Sequence, residues 1–242
     1  MSGHSHFKTI KHKKAITDQK RGKIFSKFAR QISVAAREKG SDPETNSNLK
    51  LVVEKAKSFN MPKDNIERAI KKGVGELKGA QLESVTYEAY GPGGIAIIIE
   101  GITDNKNRAL GEIKQILNQN KGKLAGQGSV KWLFERKGTI TVPIQQTTAI
   151  TREDLELKSI EVGAEDIFWG DDMLDIFIKI EDLEKAKKNL ESQGVNIDSA
   201  SLDWMAKEEI PVGEKEKNDC QKLFEALDEN DNVQEIYSNL KL

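Results

Sequence analysis

A dense group of cations near the amino terminus has the chemistry to bind phosphate. Nine lysines and arginines occur within 23 residues, and a single acid, Asp18, opposes them. The nine are Lys8, Lys11, Lys13, Lys14, Lys20, Arg21, Lys23, Lys27 and Arg30. A solvated helix face normally mixes both signs of charge, so this one-sided set favours contact with a polyanion.

Positive charge is concentrated at the beginning of the chain. Residues 1–80 carry 19 Lys and Arg against 8 Asp and Glu, a net of +11, whereas residues 81–242 carry a net of −12. A basic segment on an acidic body predicts a nucleic acid as the partner. Side chains that could read bases are scarce, so contacts to the phosphate backbone should dominate. Stacking on bases is less favoured, because only three phenylalanines lie among the cations.

The segment Thr103–Arg108 could hold a second anion. It lies between a predicted strand and a predicted helix, with Lys106 and Arg108 in the first helical turn after Asn105. Cations at that position oppose the helix dipole, which suggests that they serve an anion bound at the helix start. An ordinary capping turn explains the same residues equally well. An enzyme that binds a phosphorylated ligand here is a weaker alternative.

No pattern of residues predicts catalysis, a metal site or a cofactor. The acid clusters fall where helix starts, strand starts or turns are expected, which is typical of solvated carboxylates rather than of a general acid–base pair. The single cysteine, Cys220, lies on the apolar stripe of a predicted helix and should be a core thiol. If Met1 is removed, Ser2-Gly3-His4 could bind copper or nickel through nitrogen ligands, which a copper titration would test.

The composition predicts a soluble, cytoplasmic protein. The 242 residues allow two or three small domains, and one cysteine excludes an intramolecular disulfide. The longest branched apolar run, residues 95–99, is far shorter than the about 20 residues that a membrane span needs. The first twenty residues lack the apolar stretch of a secretory signal, so no contact with a membrane is expected.

Three short helices are predicted in the basic segment. Apolar residues recur every three to four positions between residues 18 and 39, and Gly40 follows as a stop. Asp, Pro and Glu at residues 42–44 predict that a second helix begins there and runs to about residue 58. Pro62 predicts the start of a third helix, which Gly73 ends. The expected core residues are Leu49, Val52, Val53, Ala56, Ile66 and Ile70.

From residue 85 onward, strand patterns alternate with helical ones. Residues 85–100 predict a hairpin with a glycine-rich turn, and residues 129–135 predict another strand. Between them, a helix from Asn105 should bury four apolar side chains: Leu110, Ile113, Ile116 and Leu117. The tail predicts a helix near 214–229 and a strand at 233–237 that could return to the sheet begun at residue 85.

The fold class that follows is α/β (α+β) with three domains. Residues 1–80 form a basic arm and helical domain, and residues 81–137 with 205–242 form a discontinuous α/β middle domain. Residues 138–204 have the order β-α-β-β-α-β, which is typical of a ferredoxin-like domain. Its strands are expected near 139–144, 166–169, 173–180 and 196–204, with helices near 152–162 and 181–193.

Several segments together resemble the YebC/PmpR family. They are Gly3–Ser5, Ile10–Lys14, Lys20–Phe25, Val34–Glu38, Asn60–Gly73, Tyr90–Gly94, Thr103–Asn105, Asn107-Arg108, Gly128–Val130 and Phe134-Glu135. The similarity covers the first 138 residues and continues more loosely to the end. Departures are Phe7 where the family commonly has Trp, Lys13 where Arg is usual, and residues 121–125, which replace a more glycine-rich turn.

The resemblance implies an amino-terminal helical domain, two α/β domains around a cleft, and no catalytic activity. Bacterial members of the family are described as DNA-binding regulators of transcription, and mitochondrial members act as activators of translation. It therefore implies a regulator of gene expression bound to DNA, or alternatively a ribosome-associated factor bound to ribosomal RNA or to protein. The family's basic arm corresponds here to His4, Lys8, Lys11, Lys13, Lys14, Lys20, Arg21 and Lys23.

Overall fold

The computed structural model describes residues 18–144, 150–170 and 172–241, with side chains from residue 21 onward. These residues form two compact units. One contains the described residues up to Glu135 together with those from Trp204, and the other is Arg136–Asp203. The fold is mixed α/β, as the sequence predicts, with an amino-terminal helical part and two four-stranded sheets. The exact limits of three domains stay a prediction.

From Asp18, where the described part of the chain begins, the first unit contains three helices in succession: α1 (Asp18–Lys39), α2 (Ser47–Ser58) and α3 (Lys63–Gly73). The predicted bounds of α1 are confirmed, and α3 begins after Pro62 as expected. The helices enclose an apolar core that includes Phe28, Ile32 and Leu49. Of the expected core residues, Val52 and Ile70 are only partly buried, and Leu51 and Ala69 are buried instead.

The predicted start of α2 at residues 42–44 is wrong. The helix begins at Ser47, and Asn46 is its N-cap, with Oδ1 accepting from the backbone N–H of Leu49 at 3.0 Å. The amide nitrogen of Asn46 also donates to the carbonyls of Ala35 and Gly40, at 2.9 Å each. One fully buried side chain therefore caps α2 and satisfies carbonyls at the carboxyl end of α1.

We expect Asn46→Ala to lower the free energy of unfolding by about 2–3 kcal/mol, because it removes a cap and leaves buried carbonyls without donors. Urea unfolding measures the difference. Asn48→Ala is the matched control, since Asn48 is exposed on the same helix and its loss should cost about 0.5 kcal/mol or less. Equal losses in the two variants would contradict the role given to Asn46.

Helices α1 and α3 pack closely through Gly73. A Cβ atom at that position would lie 2.3 Å from the carbonyl oxygen of Ser33, which no real side chain tolerates. The Ser33 hydroxyl, in turn, donates to the carbonyl of Ala69 at 2.7 Å. Gly73 was expected only to end α3, and the structure shows that it also permits the close approach of the two helices.

The first sheet belongs to the same unit. Its strands are β1 (Glu83–Tyr90), β2 (Ala96–Thr103), β3 (Lys123–Leu124) and β8 (Val233–Ser238), in the order β3-β1-β2-β8. The pairs β1–β2, β1–β3 and β2–β8 are antiparallel. The predicted hairpin is confirmed, and so is the return of the tail strand to this sheet.

Both faces of the first sheet are covered. Helices α4 (Lys106–Gln119) and α7 (Glu214–Asp228) contribute Ile113, Leu117 and Phe224 to the core that contains Ile97 and Ile99 of β2. Ile98 of β2 belongs to a second cluster, with Phe134 and Tyr237. Burial on both sides explains why β2 is an unbroken apolar run. The expectation that Leu110 of α4 is buried is wrong, since it is 38% exposed.

Cys220 of α7 is a core thiol, as predicted. It is fully buried, and burial together with the charges of Asp219 and Glu216 raises the pKa of the thiol to about 11. A thiol with so high a pKa holds almost no reactive thiolate at neutral pH.

The second sheet has the order β5-β6-β4-β7, formed by β4 (Phe134–Pro143), β5 (Asp166–Trp169), β6 (Met173–Ile178) and β7 (Ser199–Ala206). Helix α5 (Arg152–Glu161) follows β4, and α6 (Leu183–Ser192) follows β6. If these four strands are renumbered 1 to 4 along the chain, from β4 to β7, their order in the sheet is 2-3-1-4. This is the order of a ferredoxin-like sheet. The two strands predicted at 129–135 and 139–144 are one strand, β4, preceded by a turn of 3-10 helix at Lys131–Leu133.

Among the residues that the structure describes, no helix has both the length and the hydropathy required to cross a membrane. The same residues contain no cluster of three or more His, Cys, Asp and Glu suited to holding a metal ion.

Candidate nucleic-acid interface

Two of the cations predicted to bind phosphate connect α1 to α7, one of the helices that cover the first sheet. Lys23 of α1 donates through Nζ to the carbonyl of Glu229 at 2.7 Å and to its carboxylate at 2.9 Å. Lys27, one turn later, donates to the carboxylate of Asp228 at 2.6 Å and to its carbonyl at 3.2 Å. Both ammonium groups thus cap the carboxyl end of α7, where the helix dipole is negative.

The role expected of Lys27 is corrected by its burial. The residue is 6% exposed, and its ammonium group already contacts a carboxylate and a carbonyl, which leaves no surface for a phosphate. Lys23 is more accessible, with 24% of its side chain exposed, but it is held in the same way. A third pair, Lys55 with Glu235 at 3.2 Å, connects α2 to β8. These cations serve the packing of the first unit.

The remaining predicted cations have different positions. Arg30 is partly buried, and its guanidinium donates to the carbonyl of Ile102 at 3.3 Å and to Asn232 Oδ1 at 3.4 Å. Arg21 is exposed on α1. The other six predicted site residues, namely His4, Lys8, Lys11, Lys13, Lys14 and the side chain of Lys20, lie outside the described residues.

A groove of about 650 Å³ runs beside α1 in the first unit. One wall is the small-residue stripe of α1, including Gly22, Ser26 and Ala29, and another is the exposed face of α3. Ala80 and Leu82 before β1, Asp104 after β2 and Arg108 in the first turn of α4 complete it. Among the residues that the structure describes, four cations and one acid line this groove. The five are Arg30, Arg68, Lys72, Arg108 and Asp104.

The cations of the groove come from three helices. Arg68 and Lys72 are four residues apart on α3 and therefore share one face of it. Among the described residues neither side chain forms a hydrogen bond or an ion pair. Arg108 forms an ion pair with Asp104, the residue before the N-cap of α4. Four positive charges against one negative charge give the described lining of the groove a net charge of +3.

Asp104 shows how closely two of these cations approach. The hydrogen bond from Arg108 is the main cause that lowers the pKa of the Asp104 carboxyl, and the charge of Arg30 adds a smaller contribution. Arg30 of α1 and Arg108 of α4 therefore act on the same carboxylate. The acid holds Arg108 in place but does not neutralise the groove.

The three residues of the predicted anion site, Asn105, Lys106 and Arg108, have different contacts in the structure. Asn105 is the N-cap of α4, and its side chain accepts from the backbone N–H of Arg108 at 3.0 Å. Lys106 forms an ion pair with Glu83 at 2.9 Å. Arg108 alone of the three lines the groove. Whether this helix start binds an anion stays a prediction.

Sequence reasoning missed Arg68 and Lys72. Lys71 and Lys72 lie in the last turn of α3, where cations suit the helix dipole without any ligand. The available signal was the spacing of four residues between Arg68 and Lys72, with Asn65 on the same side, next to the apolar stripe.

A second organised surface surrounds a buried acid, Glu88 of β1. Its carboxylate accepts from the backbone N–H groups of Gly128 at 2.6 Å, Val130 at 2.7 Å and Lys131 at 2.8 Å. The loop held in this way presents the ring of Trp132, which is 66% exposed. Lys131 extends over the ring of Trp204 at 5.0 Å.

The whole chain matches known proteins. Residues 5–76 match the TACO1/YebC protein N-terminal domain, and residues 82–240 match the TACO1/YebC second and third domain. A "probable transcriptional regulatory protein" of Halothermothrix orenii is 45% identical over 243 residues, covering 100% of this chain and 96% of the relative. One of Chlorobium phaeobacteroides is 46% identical over 243 residues, with the same coverage.

A solved structure has the same fold. The crystal structure of a conserved hypothetical protein from Aquifex aeolicus superposes with a TM-score of 0.90 at 44% sequence identity. The alignment covers 98% of this chain and 97% of that one. The family resemblance inferred from sequence motifs is therefore confirmed.

Proposed function

The chain belongs to the TACO1/YebC family, and from that premise we propose that it is a non-enzymatic regulator of gene expression that binds nucleic acid. Its relatives carry the name "probable transcriptional regulatory protein", which supports a role in regulation. The proposal in its finer form is a DNA-binding regulator of transcription in the cytoplasm. The alternative is a translation factor that binds ribosomal RNA, and the test below separates the two.

The observation that carries the proposal is the unmatched positive charge of the helical part. Residues 1–80 carry a net of +11, and the exposed groove cations Arg68 and Lys72 form no ion pair among the described residues. Cations without acidic partners are available to replace the counterions of a nucleic acid. The arm at residues 4–20 adds further cations of the same sign.

The absence of an enzyme activity is part of the proposal. Its support is that no motif in the sequence predicts a nucleophile, an acid–base pair or a metal site, and that the relatives are named as regulators. The buried thiol of Cys220, with its raised pKa, is unsuited to nucleophilic attack.

The test is a measurement of nucleic-acid affinity with the arm reversed in charge. We expect Lys11→Glu/Lys13→Glu/Lys14→Glu to weaken binding to labelled duplex DNA and to ribosomal RNA by about 100-fold or more at moderate salt. For the wild type, about five phosphate contacts give a salt slope of about −4 to −5 on duplex DNA. Lys23 is left unchanged, because its reversal would break the contact with Glu229.

The control carries the same change of charge at lysines outside residues 1–80. Lys185→Glu/Lys188→Glu/Lys207→Glu alters exposed lysines and should leave the affinity within about threefold of wild type. Equal weakening in both triple variants would mean that the arm is not the binding element. Sequencing of nucleic acid crosslinked in cells then separates the two roles: promoter DNA supports transcription, and ribosomal RNA supports translation.

A further inference from the structure

We propose that the groove beside α1 is a second phosphate-binding site, which holds the backbone of a nucleic-acid strand separately from the basic arm. This inference rests on the proposed function and adds to it a defined surface with its own residues. The groove is lined by Arg30, Arg68, Lys72 and Arg108. The sequence predicted Arg30 as a phosphate-binding cation and Arg108 as part of an anion site, but not that the two share one groove with Arg68 and Lys72.

The shape of the groove suits a phosphate chain. Its α1 wall has Gly22, Ser26 and Ala29 beside Phe25 and Arg30, and a Cβ atom added at Gly22 would meet nothing within 4 Å. A strand can therefore approach the helix backbone closely at Gly22. The exposed hydroxyl of Ser26 adds a hydrogen-bond donor of the kind that contacts phosphate oxygens.

The charges of the groove favour a chain of phosphates over a single anion. Three of the four cations are arginines, whose guanidinium groups bind phosphate oxygens through two parallel hydrogen bonds. They come from α1, α3 and α4 and so are spread over separate walls. A lone phosphate needs fewer partners than these, whereas consecutive phosphodiesters can use all of them. The open side also leaves the bases outside, which fits binding without sequence preference.

Asp104 sets the strength of this site. Its carboxylate cancels one of the four positive charges and competes with phosphate for Arg108. Removing that negative charge should therefore tighten binding, whereas removing cations should weaken it. Two variants of opposite expected effect at one groove separate a binding role from general damage to the fold.

The experiment measures salt-dependent affinity of the full chain for a labelled RNA strand and a labelled DNA duplex of mixed sequence. For Arg68→Gln/Lys72→Gln we expect the magnitude of the salt slope to fall by about 2, since each phosphate contact contributes about 1. Lys57→Gln/Lys71→Gln is the matched control: both lysines are exposed, neither lines the groove, and the change of charge is the same. Asp104→Asn should bind about twofold to tenfold more tightly.

The outcomes decide between the groove, a diffuse field and a small-anion site. Equal loss of slope in both double variants, or an unchanged affinity of Asp104→Asn, would overturn the proposal in favour of non-specific charge. Inorganic phosphate and a nucleoside monophosphate serve as small competitors. If either displaces the labelled strand from the groove at concentrations that leave the contacts of the arm intact, the groove is a small-anion site instead. Displacement by an acidic peptide as effective as nucleic acid would point to a protein partner and also contradict it.

The two proposals fail in different ways. If the wild type binds neither nucleic acid, the proposed function fails. A different pattern rejects only the groove: the wild type binds, the arm variant loses binding, and the Arg68/Lys72 variant keeps the full salt slope.

Discussion

Replacing Glu88 with glutamine should lower the free energy of unfolding by about 3 kcal/mol, because hydrogen bonds to a charged acceptor contribute about 1.5–3 kcal/mol each and their losses overlap. Glutamine has nearly the same shape but only one oxygen, so its NH₂ group must face at least one backbone N–H donor. The amides affected are those of Gly128, Val130 and Lys131.

The effect has a pH dependence whose sign follows from the same contacts. Burial raises the pKa of Glu88, but the three backbone N–H donors and the charge of Lys131 together lower it below its ordinary value of 4.5. A carboxyl with a lowered pKa in the folded state adds stability above its unfolded pKa, and that stability is lost as pH falls through the folded pKa. The difference between wild type and Glu88→Gln should therefore be largest near neutral pH and should shrink below about pH 4.5.

Urea unfolding at several pH values tests this expectation, with hydrogen exchange of the three loop amides as a local readout. Glu76→Gln is the control, because Glu76 is exposed and its loss should change stability by about 0.5 kcal/mol or less at any pH. A deficit for Glu88→Gln that stays constant from neutral to acidic pH would show that the carboxylate charge is not what holds the loop.

Glu88 also shows where prediction from sequence ended in this fold. The periodicity of residues 18–39, the hairpin at 85–100 and the tail helix were predictable because each pattern is local and long. The strand predicted at 129–135 begins only at Phe134, because Val130 and Lys131, together with Gly128 just before them, donate their N–H groups to Glu88, 40 or more positions earlier. No local sequence pattern predicts that Glu88 accepts these hydrogen bonds.

The start of α2 failed for a related reason. Asp, Pro and Glu at residues 42–44 are good local signals for a helix start, and they form a turn instead. Asn46 caps the helix because its amide also reaches the carbonyls of Ala35 and Gly40, which only the packed helices bring together. Local propensity is a weak prior where tertiary contacts compete with it.

The sequence predicted the charge of the candidate interface but not which residues form it. The charge distribution alone indicated a polyanion partner and the segment of the chain that binds it. It could not distinguish Lys27, whose acid lies 201 positions away, from Arg68, which forms no ion pair among the described residues. Assigning cations to packing or to a surface requires knowing which acids the fold brings beside them.

That distinction yields the second large expected effect, on Lys27. Lys27→Met should lower the free energy of unfolding by about 2–3 kcal/mol. Breaking a fully buried pair costs about 3–5 kcal/mol, and here the partial exposure of Asp228, at 34% of its side chain, reduces the penalty. The loss also removes a cation from the carboxyl end of α7.

A double-mutant cycle with Asp228→Asn isolates the pair, and the coupling energy should be about 1 kcal/mol or more. The surface pair of Lys50 and Glu44, at 3.6 Å, provides the control, since exposed pairs contribute about 0–1 kcal/mol. Coupling no larger than that of the control would contradict the role of Lys27 in holding the helical part in place.

Binding provides an independent readout, which a purely structural cation should not change. At temperatures where Lys27→Met is folded, its salt slope on duplex DNA should equal that of the wild type, whereas a cation that contacts one phosphate contributes about 1 to the slope. A reduced salt slope for folded Lys27→Met would mean that Lys27 contacts phosphate, and would contradict a purely structural role for its contact with Asp228. The comparison with Arg68→Gln, for which the slope should fall, separates the cations that hold this fold together from those that we propose to contact nucleic acid.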